Sequence, residues 1–153
     1  MRNRLILIAV LAAVAAKMDE SVRLLVIINP NNPTGGIADC QTLEGIIDIA
    51  SRWPLCTILS DEIYDGLAFV TPHQGLAALS TEVPVITLNG VSKVFYAPGW
   101  RIGYMAWHDP LGRLAAVRDG VERLLRCRLC ASTPAQYGYL AGLEGPREWM
   151  LEY

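Results

Sequence analysis

The sequence predicts an α/β fold: a mainly parallel sheet with helices on both faces, in a three-layer αβα arrangement. Three observations carry this. Short continuous apolar runs rich in branched residues recur along the chain, as expected of strands buried on both faces. Apolar residues at helical spacing stand between those runs. Polar clusters fall where the runs end, at the edge where open α/β sheets bind ligands.

Each element follows from local pattern. The stretch "MRNRLILIAVLAAVAAK" has basic residues, then apolar ones, then Ala-Val-Ala, the outline of a secretory signal peptide. It is too short to span a membrane, and we read residues 1–21 as an alanine-rich helical lead-in packed on a sheet, with Met18-Asp-Glu-Ser-Val as its exit. "RLLVIINP" reads as a first strand, buried on both faces and ended by Asn-Pro. Leu43, Ile46, Ile47, Ala50 and Trp53 then recur at helical spacing until Pro54 stops the pattern. "CTILSDE" supplies a second strand, so strand, helix and strand form a βαβ unit joining parallel neighbours. "VPVITLNG" is a third strand and "RIGYMAW" a fourth. "LGRLAAVRDGVERLLRCRL" is an amphipathic helix with Leu114, Val117, Val121, Leu124 and Leu125 on one side, and Thr133 to Leu143 a shorter one.

Composition narrows the function. The chain has 153 residues, 52% of them hydrophobic, enough for one domain with a real core. A formal charge of -2 with both signs interspersed offers no basic stripe for a phosphate backbone, which argues against a nucleic-acid partner. Cys40, Cys56, Cys127 and Cys130 are too few and scattered for a disulfide framework, and Cys127-Arg-Leu-Cys130 lacks a second pair for zinc. Reduced thiols fit a cytoplasmic protein.

Four clusters carry the chemistry: Asn29-Pro-Asn-Asn-Pro-Thr-Gly35, Asp61-Glu-Ile-Tyr64, Ser92-Lys93 and Gly99-Trp-Arg101. Each is placed at the carboxyl end of a predicted strand, so a parallel sheet gathers them on one edge. Together they offer an amide, a carboxylate, a phenol, a hydroxyl, an amine and a guanidinium. This set suits an aromatic, phosphate-bearing cofactor whose carbonyl condenses with a lysine, and pyridoxal 5'-phosphate is the evident candidate. An aspartate facing its pyridine nitrogen keeps the ring an electron sink. Glu62 is not expected to share that site, because neighbours on a strand point to opposite faces. His73 and His108 lack a ligand-spaced partner and read as structural or exposed. Tyr96 and Trp100 flank the lysine loop and are expected to pack against it.

The motifs N-P-x-N-P-T-G, D-E-x-Y, S-K and G-W-R-I-G-Y, in that order, resemble those of the class I/II pyridoxal-phosphate aminotransferases of fold type I. "LNGVSKVFYAPGWRIGY" and "RLCASTPAQ" are similar to the alanine-aminotransferase-like branch. The resemblance covers the chain from about Val22 onward. It implies that Lys93 forms the Schiff base and shuttles a proton between the substrate α-carbon and the cofactor. It implies that Asp61 pairs with the pyridinium nitrogen, that Tyr64 and Asn32 hold the ring's phenolic oxygen, and that Ser92 and Arg101 hold the phosphate. It also implies transfer of an amino group from an L-amino acid, alanine in that branch, to a 2-oxo acid such as 2-oxoglutarate, by a homodimer with its sites at the subunit interface.

A whole member of the family is more than twice as long, so residues 1–153 correspond to part of the cofactor-binding large domain. The phosphate loop and stacking aromatic upstream, and the small domain with its carboxylate-gripping arginine downstream, have no counterpart here. A fragment of this kind is expected to lack most turnover and to leave a sheet edge unpaired. A lyase or ring-forming synthase of the same fold shares every motif, and a non-catalytic remnant is the third reading.

Overall fold

The computed structural model describes residues 2–69 and 72–151. Helix α1 (Arg2–Ala15) leads into strand β1 (Leu24–Ile28), then helix α2 (Cys40–Ser51) and strand β2 (Thr57–Asp61). A short helix α3 (Leu76–Leu79) precedes β3 (Val85–Gly90) and β4 (Gly103–His108). Helices α4 (Ala115–Arg128) and α5 (Thr133–Glu144) follow. The expected strands and longer helices are all present, and α3 is an addition. Met1 of the helical lead-in lies outside the described residues.

The sheet runs β1-β2-β3-β4. β1 pairs with β2, and β2 with β3, in parallel, with Leu25 beside Ile58 and Ile58 beside Val85. Residues in register share a face, and this face is the core: Ile58 and Val85 are fully buried with Leu43, Ile46 and Ala50 of α2 and Leu76 of α3. Helix α2 forms because Asp39 caps it, accepting from the Thr42 amide at 2.9 Å, and because its apolar residues recur on one side. Leu11 of α1 packs against the same cluster, so the lead-in helix is in contact with the core. No helix among the described residues is long and apolar enough to cross a membrane.

Two expectations need correction. β1 is not buried on both faces: it is an edge strand, and Leu24, Val26 and Ile28 are exposed on the side away from α2. An apolar run reports that both faces can be buried, not that the covering elements are present. β4 is antiparallel to β3, with Gly90 opposite Gly103 and Val85 opposite His108. Gly99-Trp-Arg101 therefore sits before the amino end of its strand. It reaches the same edge as the other clusters because β4 runs the opposite way.

The two late helices differ. Helix α4 buries none of its residues: of the apolar stripe read from its sequence, Leu114 just before the helix is buried and Val121 half-buried, while Val117, Leu124 and Leu125 are exposed, the last two at 71% and 61%. Helix α5 docks through Tyr139, which is buried and stacks on Tyr104 of β4 with ring centroids 6.0 Å apart. Burial, with Tyr104 and Asp65 adding to it, pushes the Tyr139 phenol up to about 12.

Candidate active site

Residues 29–38 form a closed loop. The backbone bonds Asn31 N–H to Gly36 O and Gly35 N–H to Asn31 O, at 2.9 and 2.8 Å, tie it across its middle. The Asn31 carbonyl side-chain oxygen accepts from the Thr34 hydroxyl at 2.8 Å. Asn29 is buried, and its Oδ1 accepts the Ala38 amide at 2.9 Å while its own N–H donates to the carbonyl of Asp61 at 3.0 Å. Asn29 and Asn31 thus serve the loop itself, and Asn32 alone points its amide away: Nδ2 donates to the Tyr64 hydroxyl oxygen at 2.7 Å. A phenol accepting this bond keeps its own hydrogen to donate elsewhere.

Tyr64 lies just past the end of β2. The Lys93 amine stands 5.8 Å from the centre of its ring, within cation–π range. Asn32, Tyr64 and Lys93 come from three loops and meet at one place. Lys93 is exposed, on a turn after β3 in which the Val91 carbonyl accepts both the Phe95 and Ala97 amides at 3.3 Å. The chain has one other lysine, Lys17, at the exit of α1.

Asp61 and Glu62 diverge, as strand geometry requires. Asp61 is half-buried, and its Oδ1 accepts the Ile63 amide at 3.2 Å. Glu62 is buried on the other side, where it accepts the Ser60 hydroxyl at 2.8 Å, the His73 ring at 2.9 Å and the Leu76 amide at 3.3 Å. Burial opposes its ionisation, but the bonds from His73 and Ser60 outweigh it and hold the carboxyl below the usual range. His73 is structural, as expected, and so is His108, whose Nε2 donates to the Ser80 carbonyl at 2.7 Å.

Ser92 is half-buried beside Lys93. Arg101 is exposed and left-handed, with φ at 52°, a conformation that costs a branched or long side chain something and marks a constrained position. One of its five N–H donors goes to the Pro98 carbonyl at 2.7 Å, so the fork is held by its own loop with donors to spare. Asp61, Ser92 and Arg101 share the edge with the central trio, and no direct hydrogen bond joins them to it among the described residues. Two clefts flank this edge among the described residues, one between α1 and the 29–38 loop, lined in part by Asn29 and Asn31, and one beside Asp65 and Met150.

Three loops thus bring an amide, a phenol and an amine together at one sheet edge, and comparison with known proteins shows the family to which such an edge belongs. Residues 5–152 match the family described as aminotransferase class I and II, and the chain belongs to that family. It is 35% identical over 136 residues to an alanine aminotransferase of Mycobacterium tuberculosis, covering 88% of this chain and 32% of that protein. It is 38% identical over 133 residues to the glutamate-pyruvate aminotransferase AlaA of Escherichia coli, covering 86% of this chain and 33% of that one. Among solved structures, an alanine aminotransferase from Pyrococcus furiosus superposes with a TM-score of 0.90 at 43% identity, over 94% of this chain and 36% of that one. The chain therefore spans about a third of the length of the relatives it matches. Aminotransferases of this family use pyridoxal phosphate. The residues present fit that group: an amine for its carbonyl, a phenol poised as donor by Asn32, a carboxylate, and a guanidinium for its phosphate.

Proposed function

We propose that residues 1–153 are the central and later part of the cofactor-binding large domain of an aminotransferase that moves the amino group of alanine to 2-oxoglutarate, giving pyruvate and glutamate. The observation that carries this reading is the meeting of Lys93, Tyr64 and Asn32 at the sheet edge. The substrate pair rests on the names of the two relatives above.

Residue by residue, Lys93 is the amine that carries the cofactor and moves the proton at the substrate α-carbon, a role that needs a basic group within hydrogen-bond reach of that carbon. Asp61 holds a proton on the pyridine nitrogen by offering it a carboxylate. Tyr64 donates its hydroxyl hydrogen to the ring's phenolic oxygen, and Asn32 fixes that hydroxyl's direction. Ser92 and Arg101 hold the phosphate, the arginine through charge-assisted bonds. Bound pyridoxal phosphate supplies the electron sink for the substrate carbanion. The complete protein is read as a cytoplasmic homodimer.

The test uses the complete protein. Incubation with pyridoxal phosphate, borohydride reduction and peptide mass analysis should place the adduct on the peptide containing Lys93, and Lys93→Ala should lose it. An adduct that survives Lys93→Ala would refute the lysine assignment. Turnover of alanine with 2-oxoglutarate is expected; turnover of a cystathionine-like substrate in its place would make the protein a lyase of the same fold.

A further inference from the structure

Helix α5 carries two glycines four residues apart, Gly138 and Gly142, on one face. Neither faces open space. A Cβ on Gly142 would stand 2.9 Å from the Phe95 ring, and one on Gly138 would stand 2.6 Å from the Trp100 ring. Phe95 lies two residues past Lys93, and Trp100 is next to Arg101.

The two notches differ in consequence. Trp100 is 51% exposed and has room to swing outward. Phe95 is half-buried and flanked on two sides: Tyr139 packs edge-on against it at 5.8 Å and Trp149 lies at 6.2 Å. Its backbone amide is bonded to Val91, and Val91 and Val94 are both buried. A push on the ring must therefore pass into the turn 91–97, whose exposed side carries Lys93.

We propose that Gly142 is a positioning residue, a notch in α5 that seats Phe95 and so sets the place of the Lys93 amine over Tyr64. This rests on reading Lys93 as the cofactor-bearing lysine. Alanine at this position adds one methyl group and favours the helix, so loss of folding is not the expected result. Overpacking against a fixed ring shifts the turn instead.

The experiment compares Gly142→Ala with Gly120→Ala, a glycine of α4 with nothing near its Cβ. In the complete protein, the rate of borohydride trapping of pyridoxal phosphate at Lys93 should fall roughly tenfold in Gly142→Ala, because overpacking shifts backbone and moves the amine, and stay at the parent value in Gly120→Ala. Adding Phe95→Leu to Gly142→Ala should restore much of the rate, which a generally loosened helix would not do. A second readout needs no cofactor: acetylation of Lys93 relative to Lys17, with Tm recorded alongside, should change in Gly142→Ala and revert in the double variant. Parent-like trapping and acetylation in Gly142→Ala, or a double variant no better than the single, overturns the notch. Failure of the parent itself to trap cofactor at Lys93 overturns the site reading, and the acetylation ratio then decides the notch separately.

Discussion

Two groups from different loops meet on Tyr64: Asn32 donates to its hydroxyl and Lys93 stands over its ring. Tyr64→Phe keeps the ring beneath Lys93 and removes only the hydroxyl that Asn32 reaches. Asn32 is exposed and water takes over its amide, so stability should change by less than about 1 kcal/mol. Affinity for pyridoxal phosphate should fall about tenfold or more, since a hydrogen bond to a charged oxygen is lost, and a fluorescence titration of the complete protein reads this. Glu62 is the opposite case, a residue beside the site that serves the fold. Its carboxyl ionises more readily folded than unfolded, so the folded state gains stability wherever the unfolded state binds more protons. That gain is fully present above the ordinary glutamate value of about 4.3 and is lost as pH falls through the lowered folded value. Glu62→Gln should cost about 1–3 kcal/mol at neutral pH, and urea unfolding below roughly pH 5 should show a flatter loss of stability than in the parent.

At the scale of elements, the start of α2 and the pairing of β3 with β4 are the points a single change would break. Asp39→Ala removes the cap that accepts the Thr42 amide and hydroxyl, and should lower stability by about 1 kcal/mol without touching the site. Gly103 is more demanding. A Cβ there would meet the Asn89 carbonyl at 2.5 Å, and backbone in a paired strand cannot yield as a side chain can. Gly103→Ala should cost about 2–3 kcal/mol and shift Arg101, two residues before it; denaturant unfolding and phosphate competition against cofactor binding would register the two effects.

Over the whole molecule, the accessible surface is 10227 Å², against roughly 7,700 Å² for a compact monomer of this mass. Exposed apolar residues contribute to it: Leu24, Val26 and Ile28 of β1, Val117, Leu124 and Leu125 of α4, and Leu129 at 83% exposure. An unpaired edge strand beside an apolar face pairs readily with another chain. The isolated 153-residue chain should therefore associate, with a concentration-dependent mass in light scattering, and Val26→Lys on the exposed face of β1 should reduce that association.

Local chemistry made much of this legible. The runs "LLVII", "TILSD" and "VITLNG" are readable as strands because branched residues in short unbroken series have few other uses, and the proposed site residues Asn32, Asp61, Tyr64, Ser92, Lys93 and Arg101 stand out because their motifs occur in a fixed order. Small residues at four-residue spacing in "YGYLAGL" were the one signal available for the α5 notch, and that spacing has no meaning until the ring that fills it is known. Periodicity, turn residues and side-chain chemistry within short windows of sequence set the α/β class, the order of the strands and longer helices, and the list of candidate site residues. Tertiary structure alone decided the reversed direction of β4, the exposed faces of β1 and α4, the partners of Glu62 and the seating of Phe95 against Gly142, because each depends on which distant segment arrives to pack or pair, and no short window of sequence records that.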